Sequence, residues 1–310
     1  MRNAFFRALQ DLAAADRRIT LVVGDLGFGV AEPFARQFPS QFVNAGVAEQ
    51  NMTGVAAGMA LMGRIVFTYS IANFSTLRCL EQIRSDVCYH HADVKVVALG
   101  GGFAYGALGV THHATEDLAV LRSLPGRTVV APGDRAETEL ATRAIAARPG
   151  PCYLRLGRSG ETLVHRAEIP FEIGKALCVR DGQDLTIIST GGMLATAVEA
   201  TELLALRDIS ARLLSMHTLK PLDSDAILSA ARETRAVVTL EEHSAIGGLG
   251  SAVAEVLAGI DAPRAPLQRF CLPSQFAAVA GSQEFLRNAH GLNAETVAQS
   301  AMSLLETVRF

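Results

Sequence analysis

Several things are missing from this chain of 310 residues, and each absence removes a class of function. No block of lysine and arginine stands out: 28 basic residues against 31 acidic ones leave a formal charge of −3, with histidine taken as neutral. Without a basic patch interleaved with aromatics, nucleic acid is not expected as a partner. No apolar run reaches the roughly 18 residues that cross a bilayer, so no membrane span is expected. The cysteines, Cys79, Cys88, Cys152, Cys178 and Cys271, are scattered and form no CxxC pair. Such spacing fits buried thiols in a reducing compartment better than a disulfide framework or a zinc site. The opening "MRNAFFRALQDLAAADRR" reads as an amphipathic helix rather than a signal peptide, because charges interrupt it throughout. A soluble, cytoplasmic protein is the expectation.

What is present is apolar material in a regular rhythm. Hydrophobic residues make up 49% of the chain, enough for two medium domains with real cores. Short β-branched runs such as "RITLVVGDLG", "RIVFTYS", "DVKVVALGGG" and "PCYLRLG" alternate with longer helical segments such as "RAETELATRAIAAR". Continuous apolar strands separated by helices predict an α/β fold with a mostly parallel sheet covered on both faces. The rhythm breaks over residues 157–174, "GRSGETLVHRAEIPFEIG", and then resumes with "DLTIIST", "AVVTLEEHS" and "PLQRFCLP". The expected division is a first domain over 1–160, a linker over 161–174 and a smaller α/β domain over 175–310.

In open α/β sheets ligands gather at the carboxyl ends of strands, and "GDLG", "NAGVAEQ" and "GGGFAYGALGVTHHATED" are expected there. In "FVNAGVAEQNMTGVAAGMALMG", residues 42–63, Glu49 stands at the head of an apolar, small-residue helix. The helix dipole favours an anion at that position. A helix so apolar is expected to be buried, and a buried carboxyl asks for a donor partner or a job. The ordinary alternative is a solvated first-turn acid or a cap. His112 and His113 follow the glycine-rich loop, but adjacent histidines seldom converge on one ion and no HExxH spacing occurs, so no metal is assigned to this chain. "GGGFAYGALG" lacks GK[ST] and does not open a helix as GxGxxG, so its glycines are read as allowing tight turns and close backbone approach.

Together these segments resemble the thiamine-diphosphate enzymes of the transketolase and 1-deoxyxylulose-5-phosphate synthase group. "NAGVAEQNM" is similar to the glutamate motif of the pyrimidine-binding domain, and "YSIANFSTLRCLEQIR" to the aromatic segment after it. "GALGVTHHATEDLAVLRSLPGRTVVAPGD" resembles the histidine loop, while "MHTLKPLD" and "TLEEHSAIGGLGSAVAEVL" resemble the transketolase C-terminal domain. The likeness keeps motif order across nearly the whole chain. Its nearest form is the separate C-terminal subunit of a split transketolase. The resemblance implies thiamine diphosphate as cofactor, with Mg²⁺ and the diphosphate held mainly by an N-terminal diphosphate-binding partner subunit in an α2β2 assembly. "GDLG" is not the GDG motif of that partner domain.

The resemblance also implies roles. Glu49 would hydrogen-bond N1′ of the aminopyrimidine and relay a proton toward activation of thiazolium C2. Phe74 would pack on the aminopyrimidine ring, Ile71 stands where many relatives have another aromatic, and Asp25 lies in the cofactor neighbourhood. His112 matches a histidine that contacts the bound donor, His113 replaces a usual glutamine, and Arg158 matches a position that grips a sugar phosphate. Arginine suits that task through its planar donor fork. Arg155 has either this role or that of a salt bridge.

Two departures bear on the substrate. Ala107 and Leu108 replace an acidic pair common in relatives, and Gly100 or Gly101 stands where conventional transketolases have a histidine. Both remove polar partners for donor hydroxyls, so a modified ketose, a less hydroxylated donor or a 2-keto acid is expected. The enzyme alternative is the E1 β subunit of a 2-oxoacid dehydrogenase, and the non-enzyme alternative is a scaffolding homologue. "THH…ED" and "LRLGRSG" favour transketolase over the first, and retention of Glu49, Phe74 and His112 argues against the second.

Overall fold

The computed structural model describes residues 1–158, 160–259 and 265–308. Of the second domain expected from sequence over 175–310, residues 260–264 and 309–310 lie outside the described residues, as does Ser159 of "LRLGRSG". Twelve strands are described: β1 Ile19–Val23, β2 Phe42–Asn44, β3 Ile65–Ile71, β4 Val94–Leu99, β5 Thr128–Val130, β6 Cys152–Leu156, β7 Leu177–Arg180, β8 Leu185–Ser189, β9 Ala211–Ser215, β10 Thr218–Lys220, β11 Ala236–Ser244 and β12 Leu267–Leu272. They form a seven-stranded sheet in the order β10-β5-β6-β4-β3-β1-β2 and a five-stranded sheet in the order β12-β11-β8-β9-β7. All pairings are parallel except the edge pairs β10 with β5 and β7 with β9. Every residue of β1, β3, β4 and β6 is buried, which is why these strands read as unbroken apolar runs.

The division is not a clean cut. β10 follows residue 175 in sequence yet joins the first sheet, pairing Thr218 with Val130. One hydrophobic core also runs from Met52 and Val96 through Ala131 to Ile188 and Leu214, tying the sheets together. Residues 161–174 carry neither helix nor strand. They are strapped down where Asp134 Oδ2 accepts the N–H groups of Val164 and His165, at 3.0 and 2.9 Å, while Asp134 Oδ1 caps the helix Arg135–Ala147.

The segment "STLRCLEQIRSDVCYH" is helical over residues 80–88, but not as one regular α-helix. The segment holds a short turn at Leu80–Gln82 and a π-helical stretch at Ile83–Cys88, after a separate helix Ala72–Ser75. The Ser75 and Thr76 hydroxyls donate back to the Ile71 and Ala72 carbonyls, competing with continuation of the first turn.

β2 lies on one side of β1 and β3 on the other, so the chain reverses its winding at the carboxyl ends of β1 and β3. A crevice is expected at such a switch point.

Candidate active site

Glu49 opens the helix Glu49–Leu61 and points into that crevice. Gly24, just past β1, and Ser70, near the end of β3, border its carboxylate: a Cβ on Gly24 would stand 3.3 Å from Glu49 Cγ and 3.4 Å from Ser70 Oγ. Glu49 is 2% exposed. Ser70 donates its hydroxyl to Oε1 at 3.1 Å, and Arg78 donates Nη1 to Oε2 at 2.8 Å. The helix's N-terminal dipole adds a favourable field, with no side-chain cap at Ala48 to satisfy those donors instead. The solvated-acid alternative is therefore removed. The helix buries one face, Met52, Thr53, Ala56, Ala57 and Ala60, and leaves Val55, Gly58 and Leu61 exposed.

Phe74 is half-buried beside this carboxylate. The Arg78 guanidinium carbon lies 4.5 Å from the Phe74 ring centroid, and the His112 ring meets Phe74 edge-on at 5.1 Å. Ile71, the last residue of β3, is buried. Asp25 has φ 52° and is exposed, its carboxylate accepting Asn44 Nδ2 at 2.9 Å on the rim next to Gly24.

The loop carrying the histidines is pinched at its base by a backbone bridge between Gly102 and Ala114. Asn73 donates to the Thr111 carbonyl at 2.9 Å, fixing the loop to the segment that bears Phe74. The glycines at its root are steric necessities. Gly100 and Gly102 have φ 87° and 63°, and a Cβ on Gly101 would stand 2.4 Å from Arg155 Nε. His112 Nδ1 lies 2.9 Å from Thr111 Oγ1. His113 is buried instead: its Nε2 donates to the Gly106 carbonyl at 3.1 Å and its ring packs edge-on to Phe103 at 5.0 Å.

Arg158 is exposed and stands 5.3 Å from the Tyr105 ring, which lies 6.3 Å from the His112 ring. Burial pushes the Tyr105 hydroxyl above its usual pKa, with Arg158 pulling the other way. A continuous path of contacts thus runs from Glu49 through Arg78, Phe74, His112 and Tyr105 to Arg158. Arg155 is not on it. Its guanidinium is turned to Asp117, with Nε 2.8 Å from Oδ2, and both side chains are buried. Ser70, Arg78 and Tyr105 escaped the sequence reading.

Among the described residues no cluster of three or more histidine, cysteine or acidic side chains could hold a metal ion, and no helix is long and apolar enough to cross a membrane.

Residues 1–160 match the family described as transketolase, pyrimidine binding domain, and residues 174–297 match transketolase, C-terminal domain. The chain belongs to the transketolase family. This transketolase-family chain is 38% identical over 307 residues to a subunit of an apulose-4-phosphate transketolase from Phocaeicola vulgatus, covering 98% of this chain and 97% of that one. It is 39% identical over 311 residues to a 6-deoxy-6-sulfo-D-fructose transketolase subunit from a Clostridium species, covering 100% and 96%. A solved split-gene transketolase, an inactive β4 tetramer, superimposes with a TM-score of 0.88 at 39% identity, covering 99% of this chain and 98% of that one. The transketolase family implies thiamine diphosphate, and the end-to-end match to separate subunits gives this chain the place of the β-type subunit beside an α partner.

Proposed function

We propose that this chain is the catalytic β-type half of a two-component, thiamine-diphosphate-dependent transketolase-like enzyme. It transfers a two-carbon ketol or related acyl unit from a ketose or keto acid to an aldehyde-type acceptor. The carrying observation is the buried Glu49 carboxylate at the switch point of the first sheet, with the half-exposed Phe74 ring beside it. A polar pocket wall with an acceptor and an aromatic face suits the aminopyrimidine half of the cofactor. Thiamine diphosphate, when bound, supplies the carbanion chemistry.

The chain's own residues then have distinct tasks. Glu49 holds a proton between its carboxylate and N1′ of the aminopyrimidine, in a site dry enough to strengthen that bond. Phe74 and Ile71 wall the ring, and Asp25 marks the rim. His112, held by its loop against Phe74, faces the donor, with His113 shaping the wall behind it. Arg158 takes an anionic end of the donor through its guanidinium fork. The named relatives act on a phosphate-bearing and a sulfo-bearing sugar, which supports a charged donor terminus.

We assign residues 1–160 to pyrimidine binding, 161–174 to the linker and 175–310 to the C-terminal domain. Mg²⁺ and the diphosphate go mainly to an N-terminal diphosphate-binding α subunit, in α2β2. The relatives named as subunits of transketolases, matched over almost their full length, support a split enzyme. Cytoplasmic action suits five cysteines that are all free thiols.

Reconstitution tests this reading. The chain mixed with the α partner, thiamine diphosphate and Mg²⁺ is expected to transfer a two-carbon unit, and the chain alone to transfer none. Full activity without a partner contradicts the split assignment. Reductive acylation of lipoamide by the assembled pair points instead to the 2-oxoacid dehydrogenase class.

A further inference from the structure

Glu49 has two donors of unequal character. Ser70 is 1% exposed and fixed in β3, so its bond to Oε1 has no route of escape. Arg78 is different: its side chain is 46% exposed while that of Glu49 is 3% exposed, so the arginine can leave for water and the carboxylate cannot. The same guanidinium that bonds Oε2 at 2.8 Å also covers the Phe74 ring at 4.5 Å. Its second neighbour on that ring, His112, approaches edge-on rather than face-on, with 65° between planes.

These two contacts, a donor on the Glu49 carboxylate and a group over the Phe74 ring, are the two that the functional reading gives to the aminopyrimidine ring. A guanidinium offers both at once because it is planar, carries N–H donors at its edge and stacks on aromatic faces. We propose that Arg78 is a displaceable stand-in for the aminopyrimidine ring, holding Glu49 and Phe74 in their working positions until the cofactor takes its place. The inference rests on the reading of Glu49 and Phe74 as the pyrimidine contacts. Without a stand-in, the buried carboxylate would lose one of its two donors whenever the pocket is empty. A partly exposed ion pair and cation–π contact are weak enough to yield to a ligand, so their displacement weakens cofactor binding by about threefold to tenfold.

The sign of one measurement decides this. Thiamine diphosphate is titrated calorimetrically into the reconstituted complex with Mg²⁺, using wild type, Arg78→Met and Arg78→Lys. Arg78→Met is expected to bind cofactor about threefold to tenfold more tightly, and its cofactor-free complex to melt at a lower temperature. Arg78→Lys keeps a cation beside Glu49, which protects folding, but loses the planar face. It is expected to shift affinity in the same direction by a smaller factor, and it decides the question if the Met variant fails to assemble. Unchanged or weaker binding in the deciding variant overturns the proposal and makes Arg78 part of the cofactor-bound site. Titrations of Glu49→Gln and Phe74→Ala separate the two levels. Unchanged affinity in both refutes the site reading itself, whereas weakened affinity there without a gain at Arg78 refutes only the stand-in.

Discussion

At the ends of β1 and β3, Glu49 is held by one fixed hydroxyl and one half-exposed arginine; at the seam between the sheets, Asp117 is enclosed on every bond. Asp117 Oδ2 accepts Arg155 Nε at 2.8 Å and the Tyr153 hydroxyl at 2.5 Å, while Oδ1 accepts Arg155 Nη2 at 3.2 Å. Arg155 Nη2 also donates to the Ala114 and Glu242 carbonyls, joining the root of the histidine loop to β11. Burial works against the Arg155 cation, yet Asp117 holds its pKa above the ordinary arginine value. Both acids are buried ion-pair members, but only the Glu49 pair has an open side. The difference separates a bridge that braces the fold from a carboxylate kept available for a ligand. Burial with a charge partner is therefore not enough to name a site; the partner must also be able to leave.

The contrast can be broken in order of expected effect. Glu49→Gln in the reconstituted complex is expected to lower turnover by about 10²–10⁴-fold in steady-state assays, with a melting temperature close to wild type. A large drop in stability with turnover preserved would invert the two regions. Asp117→Ala strands a buried guanidinium and is expected to cost about 3–5 kcal/mol in urea unfolding. A loss below about 1 kcal/mol would show the seam pair to be as dispensable as a surface bridge. Phe74→Ala is expected to weaken thiamine diphosphate binding by about threefold to tenfold with folding retained, read by calorimetric titration.

The smallest effect concerns the linker and depends on pH. His165 Nε2 stands 2.8 Å from Glu137 Oε1, beside a 2.6 Å bond from Ser215. Burial opposes the His165 imidazolium, but Glu137 overcomes it and the net pKa lies above 6.5. Burial alone would raise Glu137, yet His165 and its other donors hold it below 4.5. The histidine's contribution is therefore complete below pH 6.5 and lost as pH rises through its folded pKa, while the carboxylate's is lost as pH falls below 4.5. His165→Ala should lower the melting temperature most between pH 4.5 and 6.5, and the deficit should shrink as pH climbs above that window. A deficit that grows with pH contradicts the pairing.

Much of the fold was legible because the strands of the first sheet are buried on both faces and so carry continuous apolar runs. β10 was not placed in the first sheet, since three residues, "TLK", do not record which sheet they join. The break in the helical segment after Ser75 was not legible, because serine and threonine back-bonding leaves the apolar spacing intact. In the site, Glu49 could be found because an acid at the head of an apolar helix is chemically conspicuous. Its holders could not: Ser70 and Arg78 lie 21 and 29 residues away and are ordinary in identity. Arg155 and Arg158, three residues apart, looked alike in sequence, and only burial separates the seam arginine from the exposed one.

The central claim is that Glu49 activates the cofactor. It is tested most directly by the exchange of the thiamine diphosphate C2 proton with solvent deuterium, in the reconstituted complex at saturating cofactor and without donor. Wild type and Asp117→Asn, compared at a temperature where both are folded, are expected to exchange at similar rates, and Glu49→Gln at least about 100-fold more slowly. Equal exchange in wild type and Glu49→Gln would contradict the account.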